Sequence, residues 1–213
     1  MAIILPAILA KDEAEFVAKV ARVRSLGLPL HIDVMDGTFT PQTCFAPADR
    51  MKELLAGLEF DAHLMVSNPE HAVPVWLAAG ARRVLFHTEA TSRDALICRG
   101  VGEDAARLGI TFNPDSPISR VTKDLDCFGT VMVMGVTPGK SGQPFEDIAT
   151  EKVRVLRDLR GDLIIMVDGG VRPSNVRSLV EAGADVLVAG SALTDAADPA
   201  AALLEFKKAL GEA

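Results

Sequence analysis

Two histidines and two aspartates lie in or at the end of short apolar runs, where polar side chains are out of place in a purely structural core. His31 and Asp33 stand two apart in Leu30-His-Ile-Asp-Val-Met35, His63 lies in Asp61-Ala-His-Leu-Met65, and Asp168 directly precedes Gly169-Gly170. Successive side chains of a strand alternate between its faces. His31, Asp33 and Met35 therefore share one side of their run, Asp61, His63 and Met65 share a side of theirs, and so do Ile164, Met166 and Asp168. Two imidazoles and two carboxylates converging on one space form a mixed nitrogen and oxygen donor set suited to zinc, iron, manganese or cobalt. Taken singly, either histidine reads most simply as a satisfied core residue. Together they read otherwise, because Asp33 and Asp168 buried without partners would be costly and one cation neutralises both.

Glycine-rich segments supply a second feature: Pro138-Gly-Lys-Ser-Gly-Gln143, Gly169-Gly170 and Gly190-Ser191 each follow an apolar run. Any one of them is an ordinary turn. Clustered, they offer backbone N–H groups that can approach an anion closely. Gly135-Val-Thr-Pro-Gly139-Lys140-Ser141 imitates a nucleotide-binding loop, but it has three residues between its glycines where that motif needs four, and Pro138 sits in it. A nucleotide triphosphatase is disfavoured, while Lys140 remains a candidate phosphate contact.

The elements that must position these groups follow from the alternation of short apolar runs with longer amphipathic stretches, the pattern of repeated βα units. Strands are expected near Ile3–Leu5, Leu30–Val34, Glu59–Met65, Arg83–His87, Ile110–Asn113, Thr130–Met134, Leu163–Val167 and Asp185–Ala189. Ala182-Gly183-Ala184-Asp185 and Ala79-Gly80-Ala81 end helices ahead of strands. Eight units over 213 residues, with no linker or low-complexity segment, fit a single (β/α)8 TIM barrel spanning residues 1–213 better than an open doubly wound sheet. In a barrel the strands that carry His31/Asp33 and Asp168 lie three steps apart around the ring, so their carboxylates can face each other across the C-terminal mouth.

Composition agrees. The chain is 49% hydrophobic with 5% aromatics and no tyrosine, which suits strands buried on both faces. A net charge of −7 without a Lys/Arg run gives no drive toward nucleic acid or an anionic membrane, so an anionic substrate must be held locally. No run of 18 apolar residues and no basic, cleavable leader is present, so a cytoplasmic protein is expected. Cys44, Cys98 and Cys127 lack metal or disulfide spacing and are expected to be buried and reduced.

These motifs resemble those of the ribulose-phosphate 3-epimerase family from Ile3 to about Leu193: His31-Ile-Asp-Val-Met-Asp-Gly37, Asp61-Ala-His-Leu-Met-Val66, Val167-Asp-Gly-Gly170, Val188-Ala-Gly-Ser-Ala192 and Pro138-Gly-Lys-Ser-Gly-Gln143 are similar to family elements in the same order. The resemblance implies one divalent metal ion, zinc foremost, on His31, Asp33, His63 and Asp168. It implies Asp33 and Asp168 as the catalytic acid/base pair and D-ribulose 5-phosphate and D-xylulose 5-phosphate as substrates. Met35, Met65 and Met134 would line the pocket. The phosphate of a small phosphorylated ketose would rest on Gly139, Lys140, Ser141, Gly142, Gly169, Gly170, Gly190 and Ser191, and His63 would also adjoin the substrate. A homo-oligomer is expected.

The chain departs from the family pattern at Ala7, where Pro6-Ala-Ile-Leu9 stands for PSIL, and at Lys140 and Ser141, where PGFGGQ is usual. A six-carbon ketose phosphate such as allulose 6-phosphate, or a non-catalytic sugar-phosphate-binding barrel, are the competing readings. His87 is expected to back or pack against the site rather than enter it. Glu89 is expected near the mouth without a catalytic role, Asn113-Pro114 to shape a loop, and His71 and Trp76 to sit on the third helix.

Overall fold

The computed structural model describes residues 2–139 and 142–212. Eight parallel strands, β1 (Ile3–Ile8), β2 (Leu30–Met35), β3 (Phe60–Met65), β4 (Arg83–His87), β5 (Leu108–Phe112), β6 (Thr130–Met134), β7 (Ile164–Asp168) and β8 (Val186–Ala189), pair in chain order and close through β8 onto β1. One helix follows each strand: α1 (Glu13–Arg24), α2 (Met51–Leu55), α3 (Pro69–Ala78), α4 (Asp94–Gly100), α5 (Ser119–Thr122), α6 (Ile148–Leu159), α7 (Val176–Ala182) and α8 (Pro199–Leu210). This is the expected (β/α)8 barrel. Among the described residues no helix is long and apolar enough to cross a membrane.

Local chemistry sets the helix ends. Asp12 accepts from the Glu15 N–H at the start of α1, and Asp198 accepts from the Ala200 and Ala201 N–H groups ahead of Pro199 in α8. Each satisfies donors that have no intrahelical partner. α7 ends at Gly183, whose φ of 112° turns the chain back toward β8.

Two strands depart from the sequence expectation by more than one residue at an end. β1 continues through Ile8, because Ala7 pairs with His31 and Ile8 with Ile32 as the strand climbs to the level of β2. β5 starts at Leu108 and ends at Phe112, leaving Asn113 in the following loop. Apart from inward polar groups such as His31, Asp33, His63, His87 and Asp168, the strands are largely apolar on both faces, for two different reasons. Outward residues such as Ile32, Leu64, Phe86, Ile110, Val133 and Val167 pack under the helices. Inward residues Leu5, Leu85, Met132, Met166, Val186 and Val188 fill the barrel itself.

At the end opposite the mouth, buried Asp61 opens β3 and takes the Arg82 guanidinium at 2.9 and 3.0 Å and that of Arg83 at 3.1 Å. Of the three free cysteines only Cys98 is fully buried; Cys44 and Cys127 are half-buried.

Gly109 marks where the interior has no room left: a β-carbon there would lie 2.4 Å from Leu85 Cδ2 and 3.2 Å from Thr130 Cβ, its partners in register on β4 and β6. Gly109→Val is expected to cost about 1–3 kcal/mol through overpacking. Each kcal/mol should lower the melting temperature by roughly 2–4 °C in a chain of this size. Scanning calorimetry checks this, and an unchanged transition would mean that the barrel interior is loosely filled.

Candidate active site

The strand registers bring the four sequence candidates to one place. Asp33 and His63 are direct neighbours on β2 and β3, His31 lies one inward position lower on β2, and Asp168 ends β7. His63 Nδ1 stands 3.2 Å from Asp33 Oδ1 and 3.3 Å from Asp168 Oδ2, and His31 Nε2 stands 3.6 and 3.7 Å from the same two carboxylates. One donor atom from each of the four residues lies within 4.8 Å of every other.

Both histidines are fully buried, and neither ring nitrogen of His31 has a hydrogen-bond partner among the described residues. A fully buried imidazole with no partner is unusual, since buried polar atoms are nearly always paired. Two nitrogen or oxygen donors each about 2.1 Å from a tetrahedral ion stand roughly 3.4 Å apart, so contacts too long for a hydrogen bond from His31 have the right length for a shared cation. The donor set fits a divalent metal ion.

The electrostatics point the same way. Burial pushes the His63 imidazole toward the neutral form, but its hydrogen bonds to Asp168 and Asp33 prevail and hold its pKa up to about 9. For Asp168, burial works against ionisation, and the hydrogen bond from His63 with the nearby imidazoles outweighs it, leaving the carboxyl below its ordinary value. The pocket is thus built to hold positive charge between two carboxylates.

Above this cluster lies a cavity with Asp33 and Asp168 in its wall, together with Met35, Met65, Met134, Val136, Val171 and Val188. Gly139, Gly142, Gly169, Gly170, Gly190 and Ser191 line the same space, as the sequence led one to expect. Lys140 and Ser141 lie outside the described residues. Gly169 and Gly170 have φ of 96° and 69°. A β-carbon would come within 2.5 Å of Val136 Cγ2 at the first and 2.9 Å of Phe145 Cα at the second, so the loops after β6 and β7 close only with glycine there. Ala7 also faces the cavity and presents a methyl group, not a hydroxyl.

Several participants left no readable trace in the sequence. Lys19 reads as a solvated lysine of amphipathic α1, yet it lines the cavity, with Nζ 2.8 Å from the Leu9 carbonyl, 3.1 Å from Asp195 and 3.3 Å from Glu15. Its seat exists only because ring closure sets α1 beside the segment that follows β8. Cys44 Sγ donates to the Asp33 carbonyl at 3.2 Å and accepts from the Met35 N–H at 3.1 Å, clasping the end of β2.

His87 is fully buried behind His63, with the two Nε2 atoms 2.9 Å apart, and its Nδ1 is 3.3 Å from Glu89 Oε2. Burial first, aided by repulsion from His63, lowers the His87 pKa to about 4 despite Glu89. Glu89, though itself partly buried, is held down to about 2 by hydrogen bonds from His87, Asn113 and Ser116. His87 therefore backs the cluster, while His71 and Trp76 sit on α3.

A closed barrel with imidazoles and carboxylates gathered at the C-terminal ends of its strands is an enzyme of the TIM-barrel class. The Ribulose-phosphate 3 epimerase family matches residues 3–194. A ribulose-phosphate 3-epimerase of Mycobacterium bovis is 38% identical over 99% of this chain and 94% of its own length, and that of Escherichia coli K12 is 33% identical over 99% and 93%. The solved structure of 3-hexulose-6-phosphate synthase from Salmonella typhimurium superposes with a TM-score of 0.71 at 18% identity, covering 99% of both chains, a likeness of fold. The chain belongs to the ribulose-phosphate 3-epimerase family and is an isomerase of the epimerase type.

Asp36 ties the loop after β2 to the one after β3. Burial raises its pKa, but the N–H groups of Ser67, Phe39 and Thr38 and the Ser67 hydroxyl outweigh that and bring it to about 2. A carboxyl with a depressed folded pKa stabilises fully above its unfolded value near 4 and loses that contribution as pH falls toward 2. Asp36→Ala, which leaves neither oxygen, is therefore expected at neutral pH to speed amide exchange at Thr38 and Phe39 while leaving the strand amides of β2 protected. Unchanged exchange at those two amides would show that the loop is held by other contacts.

Proposed function

We propose that this enzyme interconverts D-ribulose 5-phosphate and D-xylulose 5-phosphate by moving the proton on C3, with Asp33 and Asp168 as the two proton carriers. The observation that carries the reading is that both carboxylates approach the same pair of buried imidazoles from two strands and also wall one cavity. Inverting a carbon beside a ketone requires removal of its weakly acidic hydrogen and return of a proton to the opposite face, which calls for two separately placed bases. A non-catalytic binding barrel has no need of that pair.

His31, Asp33, His63 and Asp168 would hold the metal, for which zinc is proposed, with iron, manganese or cobalt compatible with the same donors. When bound, a divalent ion supplies Lewis-acid stabilisation of the negative charge that develops on the ketose oxygens. One aspartate takes the C3 proton, the enediolate forms, and the other aspartate delivers a proton from the opposite side. Met35, Met65 and Met134 surround the reacting carbons with polarizable thioethers that carry no acidic hydrogen and keep water out. Backbone of Gly139, Gly142, Gly169, Gly170, Gly190 and Ser191 holds the phosphate and so fixes the distance to the reacting carbon. Lys140 and Ser141 belong to the same proposed phosphate loop.

The test is turnover of purified, metal-analysed protein on ribulose 5-phosphate before chelation, after it, and with metal restored. Activity lost and regained with the metal is expected. Asp168→Asn should lower kcat by roughly 10²–10⁴ through loss of one proton carrier. Wild-type turnover in that variant sinks the two-base assignment. Metal bound without pentose turnover, but with turnover of allulose 6-phosphate, would transfer the reading to six-carbon substrates, in a pocket where Ala7 replaces a hydroxyl. No solvent deuterium entering C3 of either sugar would leave a binding barrel.

A further inference from the structure

We propose that Glu89, through His87, sets the proton position on His63 and thereby tunes the metal affinity of the site, making Glu89 and His87 positioning residues. The inference rests on the reading that His63 is a metal ligand and extends it two side chains outward. His63 turns Nδ1 toward Asp33 and Asp168, at 3.2 and 3.3 Å. To offer that nitrogen's lone pair to a cation, the ring must carry its hydrogen on Nε2, which lies 2.9 Å from His87 Nε2. Two ring nitrogens at that distance need one donor and one acceptor. His87 Nε2 must therefore be bare, and His87 carries its hydrogen on Nδ1, which stands 3.3 Å from Glu89 Oε2.

The direction of this chain is imposed from its far end. An ionised carboxylate only accepts. The other Glu89 oxygen, Oε1, accepts the Asn113 N–H at 2.8 Å and is hydrogen-bonded to the Ser116 hydroxyl, which fixes the carboxylate's orientation. That loop is itself clamped. Lys152 on α6 donates to the carbonyls of Asn113, Pro114 and Ser116 at 3.1, 2.6 and 2.7 Å, with its ammonium over the Phe112 ring. Glu89, His87 and His63 thus form one polarised line from α6 to the centre of the site. Second partners of this kind orient a ligating imidazole and raise its basicity.

Glu89→Gln is the discriminating change because it keeps the shape and reverses the polarity. The Asn113 N–H still requires an acceptor, so the carboxamide oxygen stays at Oε1 and its NH2 faces His87 Nδ1. His87 must then accept there and donate from Nε2, and the hydrogen of His63 moves onto Nδ1, where it blocks the metal. Zinc affinity of the full chain is read by competition with a chromogenic chelator, and the ring protonation of His87 by nitrogen NMR of the same samples. Zinc binding by Glu89→Gln is expected to weaken by about 10–100-fold, with the His87 hydrogen moving from Nδ1 to Nε2 and the fold unaltered by circular dichroism. In a His87→Phe background the same substitution should add less than about twofold, because the line is already cut.

Wild-type zinc affinity in Glu89→Gln with an unmoved His87 ring overturns the proposal, as does full additivity of the two substitutions. If Glu89→Gln does not fold, Ser116→Ala, which removes one hydrogen bond to Glu89, should weaken zinc binding several-fold, and no change there overturns it equally. Absence of zinc binding by the wild type would sink the metal reading itself. The two failures stay distinct, because the His87 ring spectrum of wild type against Glu89→Gln still decides whether the relay exists.

Discussion

Two carboxylates placed side by side at the mouth of a closed barrel must be matched by positive charge, and the rest of the structure is arranged around that requirement. Asp33 and Asp168 come from strands three steps apart in the ring, and both meet His63 within 3.3 Å. In a site of low effective dielectric, two such anions repel far more than they would in water. A proton shared through His63 is one answer, and the pKa of about 9 shows how strongly the pocket holds it. A divalent ion would be the larger answer, and it would also give a partner to His31, whose two buried ring nitrogens have none among the described residues.

The barrel tolerates this concentration of charge because the polar demand is confined to layers. Below the site, Leu5, Leu85, Met132, Met166, Val186 and Val188 make an apolar plug, and at the far end Asp61 is met by Arg82 and Arg83. The acidic groups at the two ends are thus met separately, one by guanidinium side chains and one by imidazoles that, on the proposed function, would share a cation. Overpacking at Gly109 would strike the apolar plug between them, since the space for its β-carbon is already occupied by Leu85.

Parity and order were legible in the residues; contact was not. The alternation in Leu30–Met35 and Phe60–Met65 is enough to put His31, Asp33 and His63 on the inner face, and counting units is enough to set Asp168 across from them. How close two inward side chains come depends on register. Asp33 meets His63 because β2 and β3 pair them directly, whereas His63 pairs with Leu85, so His87 stands one inward position higher and still reaches 2.9 Å. No spacing in the chain encodes that offset. The reach of β1 through Ile8 was missed for a related reason: an apolar run beginning with Ile3 and broken by Pro6 looks short until its partner β2 shows how far it must climb. Lys19 and Cys44 belong to the same class, their roles being created by neighbours far away in sequence.

Charge balance also explains why the outer part of the site relies on glycine. The chain carries a net charge of −7, and Lys19, the one cation among the described residues lining the cavity, is already matched by Asp195 and Glu15. On the proposed function a phosphate must therefore be held mainly by neutral donors. Backbone N–H groups serve this purpose without adding a cation that would compete with the metal for Asp33 and Asp168. They require close approach of the chain to the anion, and Gly169 and Gly170 provide it at positive φ, in a loop that no β-carbon could enter without striking Val136 or Phe145. On that proposal the tasks are separate: side chains at the strand ends would manage the charge that changes during proton transfer, and the backbone above them would hold the charge that does not.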